Sequence, residues 1–264
     1  MAAHDPIPPQ VRDEIRKRLA GVVRDHGVRL LLAIESGSRA WGFASPDSDY
    51  DVRFVYARPA QWYASIDLEE RRDVIEQPIV DDIDLNGWDL RKALRLFWRS
   101  NPAFIEWIQS PIEYVDSTAF AARARQLLPD VYSTARGIHH YRSMAKTNYR
   151  GYLRRDLVPL KKYFYVLRPL FAVRWIEHYG SAPPIEFERL LPMAADASGV
   201  LEEVDALLRR KRASGEIAEA PPVKVLNEYI ERELNRLDQT RIPVEPRTGA
   251  ADLLSAWFRE LITP

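Results

Sequence analysis

Residues 31–56, LLAIESGSRAWGFASPDSDYDVRFVY, constrain the fold more than any other stretch. An apolar run, Leu30 to Ile34, delivers the pair Gly37-Ser38. A turn-rich segment follows, and Asp49-Tyr50-Asp51 opens a second apolar run, Val52 to Tyr56. The runs read as strands over Val28–Glu35 and Asp51–Ala57, joined by a loop of Gly, Ser, Pro and Asp. Side chains alternate along a strand, so Asp49 and Asp51 leave the same face.

Two carboxylates on one face repel each other unless a cation lies between them, and their oxygens suit Mg²⁺ or Mn²⁺. Phosphoryl and nucleotidyl transfer use such a pair. One cation neutralises a triphosphate, and a second lowers the pKa of the attacking hydroxyl. A third carboxylate from a neighbouring strand commonly completes the set. Ile79–Leu85 alternates apolar and acidic residues and predicts a third strand that ends at Asn86-Gly87. Asp84 is the choice for the third position, and Asp82, on the same strand face, is a close rival. Asp89 is placed to cap the helix that follows. At the first turn, Gly37 lets the backbone approach a ligand closely. Ser38 offers a hydroxyl and an amide to a phosphate oxygen, and Arg39 follows as a further phosphate contact.

Helical spacing is visible over Pro9 to Gly27, from Asp89 through Arg99, and over Ala103–Gln109. From about Ser117 the pattern is helical to the end, over Thr118–Leu128, Val131–Arg155, Leu160–Tyr179, Gly199–Ala213, Val223–Gln239 and Gly249–Leu261. Breakers are expected at Pro129, Pro159, Pro192, Pro221-Pro222 and Pro243–Pro246, with Pro169 kinking or splitting its helix. The chain therefore reads as an α+β (α/β) protein. A small α/β domain over residues 1–116 precedes an all-helical domain over 117–264.

Charge separates the two halves. Up to Asp116 there are 15 basic and 20 acidic residues, and from Ser117 onward 23 and 18. Arg136–Arg174 carries ten basic residues against Asp156 alone, a field that attracts phosphate. Arg142, Lys146 and Arg150 share one helix face. Lys146 is the foremost β/γ-phosphate contact, followed by Lys161, Lys162 and Arg168. Tyr149 and Tyr165 are candidates to stack on a base, although aromatic residues on amphipathic helices more often belong to a core. Arg209-Arg210-Lys211-Arg212 ends a helix, where cations complement the dipole.

The absence of cysteine excludes disulfides and thiolate metal sites, and the five histidines lack zinc-site spacing. With no signal peptide and no apolar run of membrane-spanning length, the expectation is a cytoplasmic protein without a membrane partner. Oligomeric state is not legible.

GSRAWGFASPDSDYD resembles the opening motif of the DNA polymerase β-type nucleotidyltransferase superfamily. Three further strings narrow the resemblance to its RNA-repair-pathway group, the YcgL/RlaP type: Asp84–Tyr114, His140–Leu153 and Lys161–Ile176. The resemblance spans nearly the whole chain. It implies a mixed sheet flanked by helices, with a helical half closing over the nucleotide. It also implies metal ligation at Asp49 and Asp51 and phosphate binding at Gly37-Ser38, and less firmly a third ligand at Asp84.

The expected activity is metal-dependent transfer of NMP from an NTP to a hydroxyl, with pyrophosphate released. An RNA 3′ end is one candidate acceptor. Two alternatives stand beside it. One is a catalytically silent module that binds nucleotide or RNA; the other is a nucleotidyltransferase acting on a protein or small molecule.

Overall fold

The computed structural model describes residues 7–214, 219–242 and 249–263. Five strands form one mixed sheet: β1 (Arg29–Glu35), β2 (Tyr50–Ala57), β3 (Val74–Glu76), β4 (Ile83–Asp89) and β5 (Glu113–Asp116), in the order β3-β4-β2-β1-β5. Only β2 and β4 run parallel; the other pairings are antiparallel.

Strand periodicity sorts the side chains. Val52, Phe54 and Tyr56 of β2, with Ile83 and Leu85 of β4, are buried in a cluster with Ile15, Leu19 and Val22. Those three come from α1 (Pro9–His26), which lines one sheet face. The alternate residues, Asp51 and Arg53 with Asp84 and Asn86, leave by the other face and are only partly buried.

Short helices follow the strands: α2 (Gly37–Trp41), α3 (Ala60–Tyr63), α4 (Leu90–Trp98), α5 (Pro102–Trp107) and α6 (Phe120–Val131). Asp89 caps α4 by accepting from the Arg91 amide, and Asn101 caps α5 through the amides of Ala103 and Phe104.

The remaining helices are α7 (Thr134–Tyr152), α8 (Lys162–Tyr179), α9 (Phe187–Leu190), α10 (Val200–Ser214) and α11 (Lys224–Gln239). A two-residue ribbon of β6 (Val158–Pro159) and β7 (Glu219–Ala220) accompanies them, and α12 (Ala250–Ile262) is last.

Contacts divide the chain into two compact units. The first takes the described residues up to Ala40, Asp49–Tyr132 and residues 249–263. The second takes Trp41–Ser48 and the described residues from Ser133 to 242. This differs from the 116/117 boundary read from the pattern, and aromatic packing is the reason. Phe120 of α6 stacks on Trp257 of α12 at 4.8 Å, and the Ser117 hydroxyl donates to the Leu30 carbonyl at 2.6 Å. Phe43 lies among Phe164 and Phe187, at 4.9 and 5.4 Å, so its loop belongs with the helices.

Other expectations are also corrected. The third strand starts at Ile83 rather than Ile79. Residues 80–83 form a tight turn with Asp81 and Asp82 at φ 52° and 58°, a conformation that Asp tolerates better than most residues. Asn86-Gly87 does not end that strand. Gly87 continues β4 because the Phe54 ring lies across it, and a Cβ there would be 2.0 Å from Phe54 Cε2. β3 and β5 were not expected, since both are too short to show a period.

Pro129 lies inside α6, and Pro169 lies inside an unbroken α8. A mid-helix proline costs about 3 kcal/mol. Each of Val166, Leu167, Leu170, Phe171 and Val173 gains about 1.5–3 kcal/mol by burial, so packing prevails. The expected breaker at Pro243–Pro246 lies outside the described residues. Among the described residues no helix is long and apolar enough to cross a membrane.

Candidate active site

The parallel register of β2 and β4 sets Asp51 opposite Asp84 as Cα partners. Pairing of this kind puts both side chains on one sheet face. Asp82 lies outside β4. It sits in the left-handed turn, and its carbonyl accepts the Tyr50 amide at 2.8 Å.

Gly37 is fixed by the same carboxylate. Its φ is +58°, and a Cβ would fall 1.9 Å from Asp51 Oδ2. Only glycine lets the first turn of α2 come this close. Ser38 is the second residue of that turn. Arg39 is buried, donates Nε to the Asp49 carbonyl at 3.2 Å, and stacks its guanidinium 4.1 Å from the Tyr50 ring centre. Asp49 itself is exposed, immediately before β2. Gly37, Ser38, Arg39, Asp49, Asp51 and Asp84 thus all belong to the first unit.

Two residues that pattern reading passed over tie this group together. Arg53 Nη2 donates to Asp51 Oδ1 and to Asp84 Oδ2, both at 2.8 Å. Its Nη1 donates to the carbonyls of Asp84 (2.9 Å) and Val52 (3.1 Å). The signal was available: Arg53 is two residues past Asp51, hence on the same strand face.

The second is Glu35, fully buried at the end of β1. Its Oε1 accepts the Asp51 amide at 2.8 Å, and its Oε2 accepts the Tyr114 hydroxyl at 2.6 Å. Burial pushes this carboxyl up to about 7, against the opposing pull of those two donors. An acidic residue closing an otherwise apolar strand was the sequence hint.

Electrostatics mark Asp51 as under-compensated. Desolvation raises its carboxyl above the usual range. Arg53 pulls it down, while the like charges of Asp84 and Asp49 push it further up. Carboxylate oxygens suit a hard divalent cation, so Asp49 and Asp51 fit Mg²⁺ or Mn²⁺ by the chemistry of their donors. Among the described residues, however, no three carboxylates or imidazoles are gathered closely enough to hold a metal. Asp84 is drawn to Arg53 instead.

The other anticipated contacts lie in the second unit. Lys146 is engaged: its Nζ donates to both Asp238 oxygens, at 3.0 and 2.8 Å, and Arg142 shares that partner. The basic stripe therefore has an acidic neighbour that the sequence does not reveal. Tyr149 is a core residue with its hydroxyl donated to Glu231. Lys161 precedes α8 and is half-buried. Arg168 is buried, with its guanidinium 4.6 Å from the Trp41 ring centre. Lys162, between the Tyr152 and Tyr165 rings at 4.3 and 4.5 Å, completes the set.

Compared with known proteins, residues 11–260 match the family described as RlaP, the RNA repair pathway DNA polymerase beta family. The chain is 42% identical over 227 residues to the uncharacterized protein YcgL of Bacillus subtilis (strain 168), covering 86% of each. Two solved structures are more distant. A nucleotidyltransferase-like protein from Exiguobacterium sibiricum 255-15 shares 10% identity over 85% of this chain and 73% of that one, with a TM-score of 0.33. The spectinomycin adenyltransferase AAD(9) from Enterococcus faecialis, with ATP and spectinomycin, shares 13% over 86% and 99%, with a TM-score of 0.48. Neither likeness is close enough to carry an argument.

Proposed function

We propose, from the premise that this chain belongs to the RNA repair pathway DNA polymerase beta family of nucleotidyltransferases, that it transfers NMP from an NTP to a hydroxyl acceptor. The acceptor we favour, on the family's description, is an RNA 3′ end. The observation that carries this reading is the placement of Asp51 opposite Asp84 on paired parallel strands, with Gly37 pressed against the Asp51 carboxylate.

In this reading Asp49 and Asp51 hold Mg²⁺ or Mn²⁺, and Asp84 is the third acidic group. When bound, the cation would neutralise triphosphate charge. The Gly37-Ser38 turn holds the triphosphate through backbone amides and the Ser38 hydroxyl, and Arg39 adds positive charge beside it. The acceptor oxygen bonds to the α-phosphorus as the bond to the β-phosphate oxygen breaks. Pyrophosphate leaves, and the hydroxyl proton passes to the Asp84 carboxylate. Glu35 acts behind the site by holding the Asp51 amide, which fixes where the carboxylate starts from.

The test is incubation of the protein with each α-labelled NTP, Mg²⁺ or Mn²⁺, and total RNA. Label is expected in RNA, and Asp49→Ala with Asp51→Ala should abolish it while the far-UV spectrum stays unchanged. Equal labelling by that variant overturns the site. Label found in protein or a small molecule instead of RNA overturns the acceptor.

A further inference from the structure

Arg53 is more firmly built than a counterion needs to be. One nitrogen bridges Asp51 and Asp84, and the other is fixed on two backbone carbonyls, those of Val52 and Asp84. Those carbonyls belong to the β2/β4 pair, so the guanidinium cannot leave without breaking four hydrogen bonds. The side chain is 19% exposed, which leaves water little room to replace them. Planar, forked and permanently charged, a guanidinium can serve two carboxylates and a carbonyl row at once.

The point between two facing carboxylates is where a cation would otherwise sit. Asp49, Asp51 and Asp84 carry three negative charges. Arg53 lies between two of them and Arg39 is held on the Asp49 carbonyl, so less negative charge is left than two divalent ions need.

We infer that Arg53 permanently occupies the position of a second cation between Asp51 and Asp84, so that this chain works with one divalent ion rather than two. This rests on the nucleotidyl-transfer reading above and deepens it. The ion belongs to Asp49, Asp51 and the triphosphate. Asp84 holds Arg53 and accepts the hydroxyl proton, and it is not a metal ligand. A guanidinium cannot acidify a hydroxyl as a bound metal does, so deprotonation falls to that carboxylate.

Counting Mn²⁺ on the full chain tests this. The protein is saturated with a non-hydrolysable α,β-methylene NTP, and bound Mn²⁺ is measured by calorimetry and electron paramagnetic resonance. The expected result is one Mn²⁺ per chain with the hyperfine pattern of an isolated ion. Arg53→Met should then take up a second Mn²⁺, with the exchange-broadened spectrum of ions about 4 Å apart. Two coupled ions on the unaltered chain overturn the inference and leave the nucleotidyl-transfer reading standing, as does Arg53→Met remaining at one. No Mn²⁺ bound in the presence of any of the four analogues overturns the reading itself. The count on the unaltered chain decides even if Arg53→Met does not fold.

Discussion

Two carboxylate clusters, one in each unit, are built on opposite plans. In the helical unit Glu233 of α11 is 2% exposed, and Arg174 embraces it with Nε and Nη2 at 3.0 and 3.1 Å while Arg236 adds a third bond. Burial alone raises the Glu233 carboxyl. The two arginines more than offset that and leave it below the usual range. Asp51 in the sheet unit also suffers burial, yet it hydrogen-bonds one arginine, shared with Asp84, feels Arg39 only at a distance, has two like charges nearby, and is left raised. A carboxylate placed for structure carries its own cations. On the proposed function, Asp51 is placed for a ligand and is left short of them.

The contrast predicts different losses on substitution, the largest at the sheet. Asp51→Asn should slow transfer of labelled NMP at least a thousandfold, about 4 kcal/mol of barrier, and leave the urea midpoint unchanged. A midpoint that falls with activity would make Asp51 structural. Glu233→Ala should do the reverse. It removes the buried partner of Arg174 and Arg236 and costs about 2 kcal/mol of stability in urea unfolding, less than breaking a fully buried pair because Asp196 and Glu177 still hold the two arginines.

Glu35 sharpens the comparison through pH. Its carboxyl titrates at about 7 in the fold, against 4.5 ordinarily. Between those values the folded chain keeps a proton that the unfolded chain has released. Its contribution therefore favours folding at low pH and is lost as pH rises through 7, by at most about 1.4 kcal/mol per pH unit. Unfolding curves from pH 5 to 8 should show that decline, and Glu35→Gln should flatten it. The smallest effect is expected at Lys146→Met. With Nζ on the exposed Asp238, the thermal midpoint should stay where it was. A tenfold rise in KM for NTP would support this lysine as a phosphate contact, and an unchanged KM would make it a surface ion pair.

Legibility in the sequence followed the length of each pattern. Strands around Gly37-Ser38 and Asp49-Tyr50-Asp51, and the long helices of the second half, show a period that packing then respects. β3, with three residues, has no period to read. Gly87 has the composition of a breaker, but its smallness serves Phe54 on another strand, a contact no local pattern contains. The same holds at the candidate site. Asp51 was identified by alternation within one strand. Asp84 is preferred to Asp82 in the sequence, but its place opposite Asp51 needs the parallel register, and Arg53 and Asp238 as partners need tertiary neighbours. Loop 41–48 illustrates the limit for domains: contiguous sequence passes from one unit to the other and back.

Anomalous scattering from a crystal of the protein soaked with Mn²⁺ and a non-hydrolysable NTP addresses the central claim most directly. The account predicts a manganese peak liganded by the carboxylates of Asp49 and Asp51, with the triphosphate against Gly37-Ser38 and the Arg53 guanidinium still between Asp51 and Asp84. Nucleotide bound elsewhere, with no peak at those two carboxylates, would contradict it.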